Sequence, residues 1–113
     1  MKGLRDLNDK ILSFLGLARR AGKLILGNDA AIESVKKKKA CLILLAGDIS
    51  ENTGNKAVKT AEEYNIEHIK LDRTKEQIMY ALGKYSAVMS VIDKGFAERI
   101  KVLYEQGKDG ISI

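Results

Sequence analysis

The chain has 113 residues and a mass of 12.5 kDa, which is the size of one ordinary domain. Its composition is 45% hydrophobic and 31% charged, which favours a packed core, and the absence of proline excludes collagen-like and proline-rich folds. One cysteine and one histidine exclude an internal disulfide and an ordinary structural zinc site. No apolar run is long enough to span a membrane, so we expect a single cytoplasmic domain over residues 1–113.

Positive charge is concentrated in the first third of the chain. The formal net charge is +5, but residues 1–39 carry ten lysines and arginines against four acidic residues. Residues 40–113 carry ten against eleven, so the remainder of the chain is close to neutral. A charge distribution of this kind favours a surface that binds nucleic acid.

Hydrophobic spacing and capping residues predict five helices along the chain. The first begins at an N-cap on Asp6 and ends at Gly22. The second follows Asn28 and Asp29, both good N-cap residues, and ends in the lysine run 36–39. The other three span about residues 53–65, 74–83 and 94–106, with Thr74 as the N-cap of the fourth.

Four strands are predicted between these helices, over residues 23–27, 41–46, 67–71 and 87–92. Residues 41–46 are continuously apolar, which is typical of a central strand that is covered on both faces. The alternation of helices and strands predicts a mostly parallel sheet between layers of helices.

Sequence motifs of catalysis are weak. The stretch that begins at Gly27 lacks the later glycines of a dinucleotide fingerprint and the lysine of a phosphate-binding loop. Asp48 follows the predicted central strand, where it could cap a loop or, as in signalling receiver domains, accept a phosphoryl group. A receiver also needs an acidic pair after its first strand, and Asp29 is a single acid there. The loop-capping interpretation is therefore favoured, and we expect no catalytic residue, cofactor or metal.

Basic residues flank the predicted start of the second helix. Arg19, Arg20 and Lys23 precede it, and the lysine run from Lys36 follows it. The free amides and positive dipole of a helix N-terminus can take a phosphate between such clusters. Asn28 could act there as the N-cap alone, or as a cap that also reads a base edge.

Several short motifs occur in an order that is similar to a known family. They are Gly27-Asn28-Asp29 at a helix start, the run 39–48, the stretch 15–24, Ser50-Glu51-Asn52-Thr53 and residues 93–97. Together they resemble the kink-turn RNA-binding ribosomal proteins, the archaeal L-seven-Ae and eukaryotic L-thirty-e type, and most closely their small bacterial branch. The resemblance covers residues 7–105. It implies an α/β fold, a three-layer α-β-α sandwich with a mixed four-stranded sheet, and RNA binding without catalysis.

The resemblance also implies which residues meet RNA. Family members grip a bent RNA with the start of the second helix and with the loop before the last strand. The helix positions here are Gly27, Asn28, Asp29, Ile32 and Glu33, with Lys36 and Lys37 one turn further on. The loop positions are Lys84, Tyr85, Ser86, Ala87 and Val88, whose small and apolar members can lie against an unstacked base.

The sequence departs from the family pattern at the helix. Without gaps, the family's asparagine–glutamate pair becomes Asp29-Ala30, whereas a one-residue shift makes it Asn28-Asp29. The family's helix lysine becomes Glu33, whose carboxylate repels phosphate. The leading hypothesis is a non-catalytic, ribosome-associated protein that recognises kinked or bulged structured RNA, with no DNA or membrane partner. The alternative, which Glu33 favours, is a protein-interaction adaptor of the same fold in a ribosome-related or RNA-processing complex.

Overall fold

The computed structural model describes residues 9–111, with side chains described for residues 9–107. Within this range five helices alternate with four strands, and no helix is both long and apolar enough to cross a membrane. The helices are α1 (Lys10–Arg20), α2 (Asn28–Lys36), α3 (Glu51–Glu63), α4 (Lys75–Leu82) and α5 (Lys94–Ile111). The strands are β1 (Leu24–Leu26), β2 (Leu42–Leu45), β3 (His68–Lys70) and β4 (Val88–Val91).

The four strands form one mixed sheet in the order β1-β4-β2-β3. β4 pairs antiparallel with both β1 and β2, and only β2 and β3 are parallel. The prediction of a mostly parallel sheet is therefore wrong, and the mixed sheet implied by the family resemblance is confirmed. The reason lies in α4 and its following loop. β3 ends and β4 begins beside the same residue, Leu45, so the chain returns to one sheet edge and β4 runs back from it.

Two hydrophobic cores lie on opposite faces of the sheet. Leu42 and Leu44 of β2 pack on one face with buried residues of α1, α4 and α5. Ile43 and Leu45 pack on the other face with buried residues of α2 and α3. All four residues of β2 are buried, as predicted for a central strand, and the sheet forms the middle layer of an α-β-α sandwich.

A buried pair of serines fixes α2 against the middle of the sheet. The Ser34 hydroxyl donates to the carbonyl oxygen of Ala31 at 2.6 Å, and its Oγ lies 2.7 Å from Oγ of Ser90 in β4. Both serines are almost fully buried. Because buried hydroxyls need hydrogen-bond partners, this pair restricts how α2 can pack, and it therefore positions the N-terminus of that helix.

The helix ends agree in part with the sequence predictions. The predicted cap Asp6 lies outside the described residues, and α1 has Asp9 as its N-cap. α3 begins two residues earlier than predicted, because the Ser50 hydroxyl accepts from the backbone of the first turn. Thr74 caps α4 in a capping box, and α4 ends at the left-handed residue Gly83, both as predicted.

The C-terminus of α2 holds a lysine in a left-handed conformation. Lys38 has φ of 61°, and the next amide, on Lys39, donates back to Ser34 to close the helix. This position usually carries glycine, because a Cβ atom is unfavourable there by about 1 kcal/mol or more. A lysine at this position therefore lowers the stability of the fold.

Replacing Lys38 with glycine is expected to raise the free energy of unfolding by about 1 kcal/mol. The melting temperature should rise by about 4 °C, which thermal unfolding followed by circular dichroism would measure. Lys36→Gly, inside the last turn of α2, is the matched control and should lower the stability. A melting temperature that does not rise in Lys38→Gly would contradict the strain at this position.

Candidate functional site

Three helices begin at a single edge of the sheet, which we call the site edge. It is the edge at which β1, β2 and β3 end and β4 begins. α2, α3 and α4 each follow one of these three strand ends, so their N-termini lie along the same edge. Helix N-termini present free backbone amides and positive partial charge, so this edge favours anionic ligands.

The start of α2 differs from the starts of α3 and α4. Ser50 caps α3, and Thr74 caps α4 with help from Asp48, whose Oδ1 accepts from the Lys75 amide at 2.9 Å. Asp48 was predicted to cap its own loop; its carboxylate instead caps the start of α4, 27 residues further along the chain. The N-cap position of α2 is Gly27, which has no side chain to accept a hydrogen bond. The first-turn amides of α2 are therefore left open to a ligand.

Hydrogen bonds join the start of α2 to the loop before β4. The Gly27 amide donates to Ser86 Oγ at 2.8 Å, and the Ser86 hydroxyl donates to the Val88 carbonyl at 2.6 Å. The Val88 amide in turn donates to Asn28 Oδ1 at 3.1 Å. Gly27 has φ of 112°, a backbone conformation that side chains rarely permit, and this brings the two segments together. The two segments that the sequence predicted to act together form one hydrogen-bonded unit.

Asn28 has a different structural role from the one predicted. It is the first residue of α2 rather than its N-cap, so the capping prediction is wrong. The N-cap position is occupied by Gly27, one residue before the predicted cap, so Asn28 already lies inside the helix. The side-chain oxygen Oδ1 of Asn28 accepts from the Val88 amide, while the Nδ2 group of the same side chain has no partner among the described residues. Asn28 is exposed, so this Nδ2 group is free to donate to a ligand.

An open cleft of about 450 Å³ lies between these segments. The predicted residues along it are Gly27, Asn28, Asp29, Tyr85, Ser86 and Ala87. Sequence reasoning missed three further residues of its wall, Ser50, Thr53 and Lys75. Ser50 and Thr53 belonged to a motif that carried the family resemblance, but their position beside α2 depends on the strand order.

Some of the predicted loop residues are exposed, whereas others are buried and hold the loop in place. Lys84 and Tyr85 are exposed, with 59% of Tyr85 accessible, and Ala87 is half-buried. Ser86 and Val88 are buried at 4% and 0%, so their side chains hold the loop and are not available as contact surface. Ile32 of α2 is likewise buried.

The predicted basic residues do not all lie at the site edge. A Cβ atom on Gly83 would lie 3.4 Å from Nη1 of Arg19, and one on Gly27 would lie 3.9 Å from Nζ of Lys84. Arg19 and Lys84 are thus close to the loop before β4. Arg20, on the last turn of α1, extends back along its own helix toward Gly16.

Three predicted basic residues are separated from the cleft by the length of a secondary-structure element. Lys23 lies at the opposite end of β1, and Lys36 and Lys37 lie at the C-terminal end of α2. Nine helical residues span about 13 Å, so the backbone of Lys36 and Lys37 lies about that far from the first-turn amides of α2.

Glu33 is partly neutralised by its own helix. Its Oε2 lies 3.8 Å from Nζ of Lys37, and both side chains are more than half exposed. An exposed ion pair of this kind is weak, so Lys37 reduces the repulsion between Glu33 and phosphate without removing it.

Among the described residues, no group of three or more histidine, cysteine, aspartate or glutamate residues could hold a metal ion. Cys41 packs against the hydrophobic core, and His68 lies 3.8 Å from Glu62. The amides and polar groups around the cleft are suited to hold an anion in place.

The fold and the candidate site together describe a small α-β-α sandwich protein with a mixed sheet, in which an open helix N-terminus is hydrogen-bonded to the loop before the last strand. The chain belongs to the ribosomal protein L7Ae/L30e/S12e/Gadd45 family, whose model matches residues 9–101. The family that the sequence motifs resemble is thereby confirmed.

Two bacterial relatives are similar over most of their length. The RNA-binding protein YlxQ of Enterococcus faecium is 35% identical over 96 residues, which cover 85% of this chain and 92% of the relative. The protein of the same name from Bacillus subtilis (strain 168) is 33% identical over 87 residues, covering 76% and 86%.

Solved structures show the same fold. A protein of unknown function from Bacillus halodurans superposes with a TM-score of 0.79 at 29% identity, covering 85% of this chain and 97% of that one. The 15.5 kD RNA-binding protein of Giardia lamblia superposes with a TM-score of 0.66 at 14% identity, covering 94% and 88%. The second likeness concerns the fold alone.

Proposed function

We propose that this protein binds structured RNA at the site edge and recognises a kink or bulge by its shape. The observation that carries the proposal is the uncapped N-terminus of α2, hydrogen-bonded to the loop before β4 through Gly27, Asn28 and Ser86. Membership of the family, and the similarity to two relatives named as RNA-binding proteins, support RNA as the ligand.

In this proposal the two segments have complementary roles. The open first-turn amides of α2 hold a backbone phosphate, since they combine free donors with the positive end of the helix dipole. The Nδ2 group of Asn28 donates to a base edge or a ribose oxygen. Tyr85 and Ala87 provide an exposed ring and a small apolar surface for a base that has left its stack.

This arrangement favours an RNA with a bend or bulge. The groups that would contact bases lie in a cleft beside the phosphate-binding amides, whereas an uninterrupted A-form helix keeps its bases stacked inside. A kinked RNA exposes an unstacked base next to a distorted backbone, so it can engage both segments together. We further propose that the RNA is a kink-turn of ribosomal type and that the protein acts without catalysis, in the cytoplasm and in association with the ribosome.

A gel-shift comparison of a kink-forming RNA with a plain duplex of equal length tests the proposal. We expect the kinked RNA to bind at least tenfold more tightly, because only it supplies an unstacked base. Equal affinities would reduce the protein to a general basic binder and would contradict the proposed function.

The salt dependence of binding is expected to reflect few phosphate contacts. If about four phosphates are neutralised, the log–log slope of the binding constant against salt should be near −3, at about 0.7 to 0.9 per phosphate. Fluorescence anisotropy titrations between about 50 and 200 mM salt would measure this slope. Affinity that does not change with salt would contradict a phosphate-based mechanism.

A further inference from the structure

Lysines from three segments of the chain lie together at the edge of the sheet opposite the site edge. We call the residues Lys23, Lys37, Lys38, Lys39 and Lys94 the far edge. The Ile92 amide donates to the Lys23 carbonyl at 3.0 Å, and the Cys41 amide donates to the Val91 carbonyl at 2.7 Å. The segments that carry these five lysines are therefore neighbours across β1, β4 and β2, within about two strand spacings or 10 Å.

Most of the far-edge charge is unpaired. Lys37 is engaged by Glu33, but Lys23, Lys38, Lys39 and Lys94 have no carboxylate partner among the described residues. The nearest acid along the chain, Asp93, uses its side chain to accept from the Phe96 amide at the start of α5. The far edge thus keeps a concentrated positive charge.

Two other carboxylates near this end of the sheet, Glu67 and Glu98, pair with a different lysine, and Glu62 at the end of α3 lies 3.8 Å from His68. Lys101 Nζ lies 2.8 Å from Glu67 and 3.0 Å from Glu98. The hydrogen bonds that Lys101 donates to Glu67 and, as the second cause, to Glu98 raise the pKa of Lys101. These acids lie toward β3 and do not cancel the lysines around β1, β4 and β2.

Lys38 provides an independent sign that charge is favoured here. Its left-handed backbone would suit glycine better, yet the chain places a cation at this position. Among the described residues other than glycine, only Asn65 shares a positive φ, and asparagine tolerates it. A residue that lowers the stability of the fold and adds charge to a basic surface points to a ligand for that surface.

The partner chemistry follows from what the far edge lacks. The large hydrophobic side chains exposed among the described residues are Leu17, Tyr64, Met79, Tyr80, Tyr85 and Val102, none of which belongs to these lysine segments. Protein interfaces usually depend on buried aromatic or apolar anchors, whereas nucleic-acid backbones are held by lysine and arginine. The far edge therefore fits a phosphate backbone better than a protein surface.

We propose that the far edge binds the phosphate backbone of a second RNA segment, so that the protein bridges two parts of a folded RNA. The proposal rests on the proposed function only in taking RNA as the ligand class. The two surfaces are separated by the length of α2, about 13 Å, so a single phosphate group cannot serve both. One RNA segment would occupy the cleft while a second lies across the far edge.

The test uses the full chain saturated with an unlabelled short kinked RNA and a fluorescent, unbulged RNA duplex as the probe. The far-edge variant is Lys23→Gln/Lys39→Gln/Lys94→Gln. Its matched control is Lys10→Gln/Lys56→Gln/Lys59→Gln, which removes the same charge from exposed positions on α1 and α3. Lys38→Gly is measured in parallel, together with its melting temperature.

We expect the saturated protein to bind the duplex in a ternary complex. The far-edge variant should weaken duplex binding at least tenfold and flatten its log–log salt slope by about 2, whereas the control variant should change the affinity less than about twofold. Kinked-RNA affinity should stay within about threefold in both variants. Lys38→Gly should bind the duplex more weakly while melting at a higher temperature, which a purely structural role would not produce.

Three results would overturn the proposal. The kinked RNA could displace the duplex, which would mean a single shared surface. The far-edge and control variants could lose equal affinity, which would mean unspecific charge. Poly-glutamate of equal charge could compete as well as RNA, which would assign the far edge to an acidic protein. Failure of the proposed function would give a different result, because the kinked RNA would then bind no more tightly than the duplex. The effect of the far-edge variant on duplex affinity would still test the far edge.

Discussion

Replacing Asn28 with alanine is expected to lower the affinity for kinked RNA at least tenfold, which corresponds to about 1.4 kcal/mol. Two interactions are lost together. The Nδ2 donor that faces the ligand is removed, and the Val88 amide loses its acceptor, which loosens the loop before β4. The second loss should also lower the free energy of unfolding by about 1 kcal/mol. Affinity for a plain duplex should change little, because duplex binding depends on the cations.

The substitution Asn28→Asp separates recognition from folding. Aspartate keeps an oxygen that can accept from the Val88 amide, and a carboxylate is favourable in the first turn of a helix. Stability should therefore equal that of the wild type, while affinity for kinked RNA falls about a hundredfold because the carboxylate repels phosphate and offers no donor. Anisotropy titrations and thermal unfolding of both variants check the pair. Tight kinked-RNA binding by Asn28→Asp would contradict the assigned role.

Replacing Gly47 with alanine is expected to destabilise the fold by about 3 kcal/mol and to lower the melting temperature by about 12 °C. A Cβ atom there would lie 2.7 Å from the carbonyl oxygen of Leu71, a distance at which the backbone must move. Gly47 also donates its amide to Arg73 at 2.7 Å, so the same movement disturbs the approach to α4. RNA affinity should fall as the Lys75 side of the cleft shifts.

Gly54→Ala is the matched control for this prediction. Gly54 lies inside α3, where an added Cβ atom would meet Ile49 at 3.5 Å, an ordinary contact distance. Because glycine is unfavourable in a helix interior, alanine should stabilise the protein by about 0.5 to 1 kcal/mol. The same chemical change should thus have opposite signs at the two positions. Destabilisation by Gly54→Ala, or a neutral effect at Gly47, would contradict the steric argument.

Features that depend on local chemistry were predictable from the sequence. Thr74 and Gly83 delimit α4 because a hydroxyl cap and a left-handed glycine are read from neighbouring residues alone. The buried strand β2 was evident from its continuous apolar run. Asp48 does not follow this logic, since its carboxylate accepts from the Lys75 amide of α4, 27 residues further along the chain, and not from the helix that follows it.

Strand directions depended on long-range geometry and were not predictable from local patterns. α4 has eight residues, and nothing in their sequence shows that the following loop returns to the edge where β3 ended. β4 was therefore assigned the wrong direction. Ser50, Thr53 and Lys75 were missed in the cleft for the same reason, since the strand order decides which helix starts become neighbours.

The family resemblance indicated two segments for the candidate site, and the structure shows that they are hydrogen-bonded to each other, but the individual hydrogen bonds could not be predicted from the sequence. Asn28 and Val88 are sixty residues apart, so no local pattern could assign the asparagine to the loop instead of the helix cap. The division of the lysines between two sheet edges also follows from the fold. Lys23 and Lys37 are close in sequence to residues of the cleft. They nevertheless lie at the opposite edge of the sheet, because β1 and α2 each run from one edge to the other.

Nuclear magnetic resonance titration of the labelled protein with a kinked RNA is the most direct test of the site edge. We expect the chemical shifts of the backbone amides of residues 28–30 and 85–88 to change the most, because these residues hold the phosphate and support the unstacked base. RNA-dependent chemical-shift changes elsewhere on the protein, with both of these segments unchanged, would contradict RNA binding at the site edge.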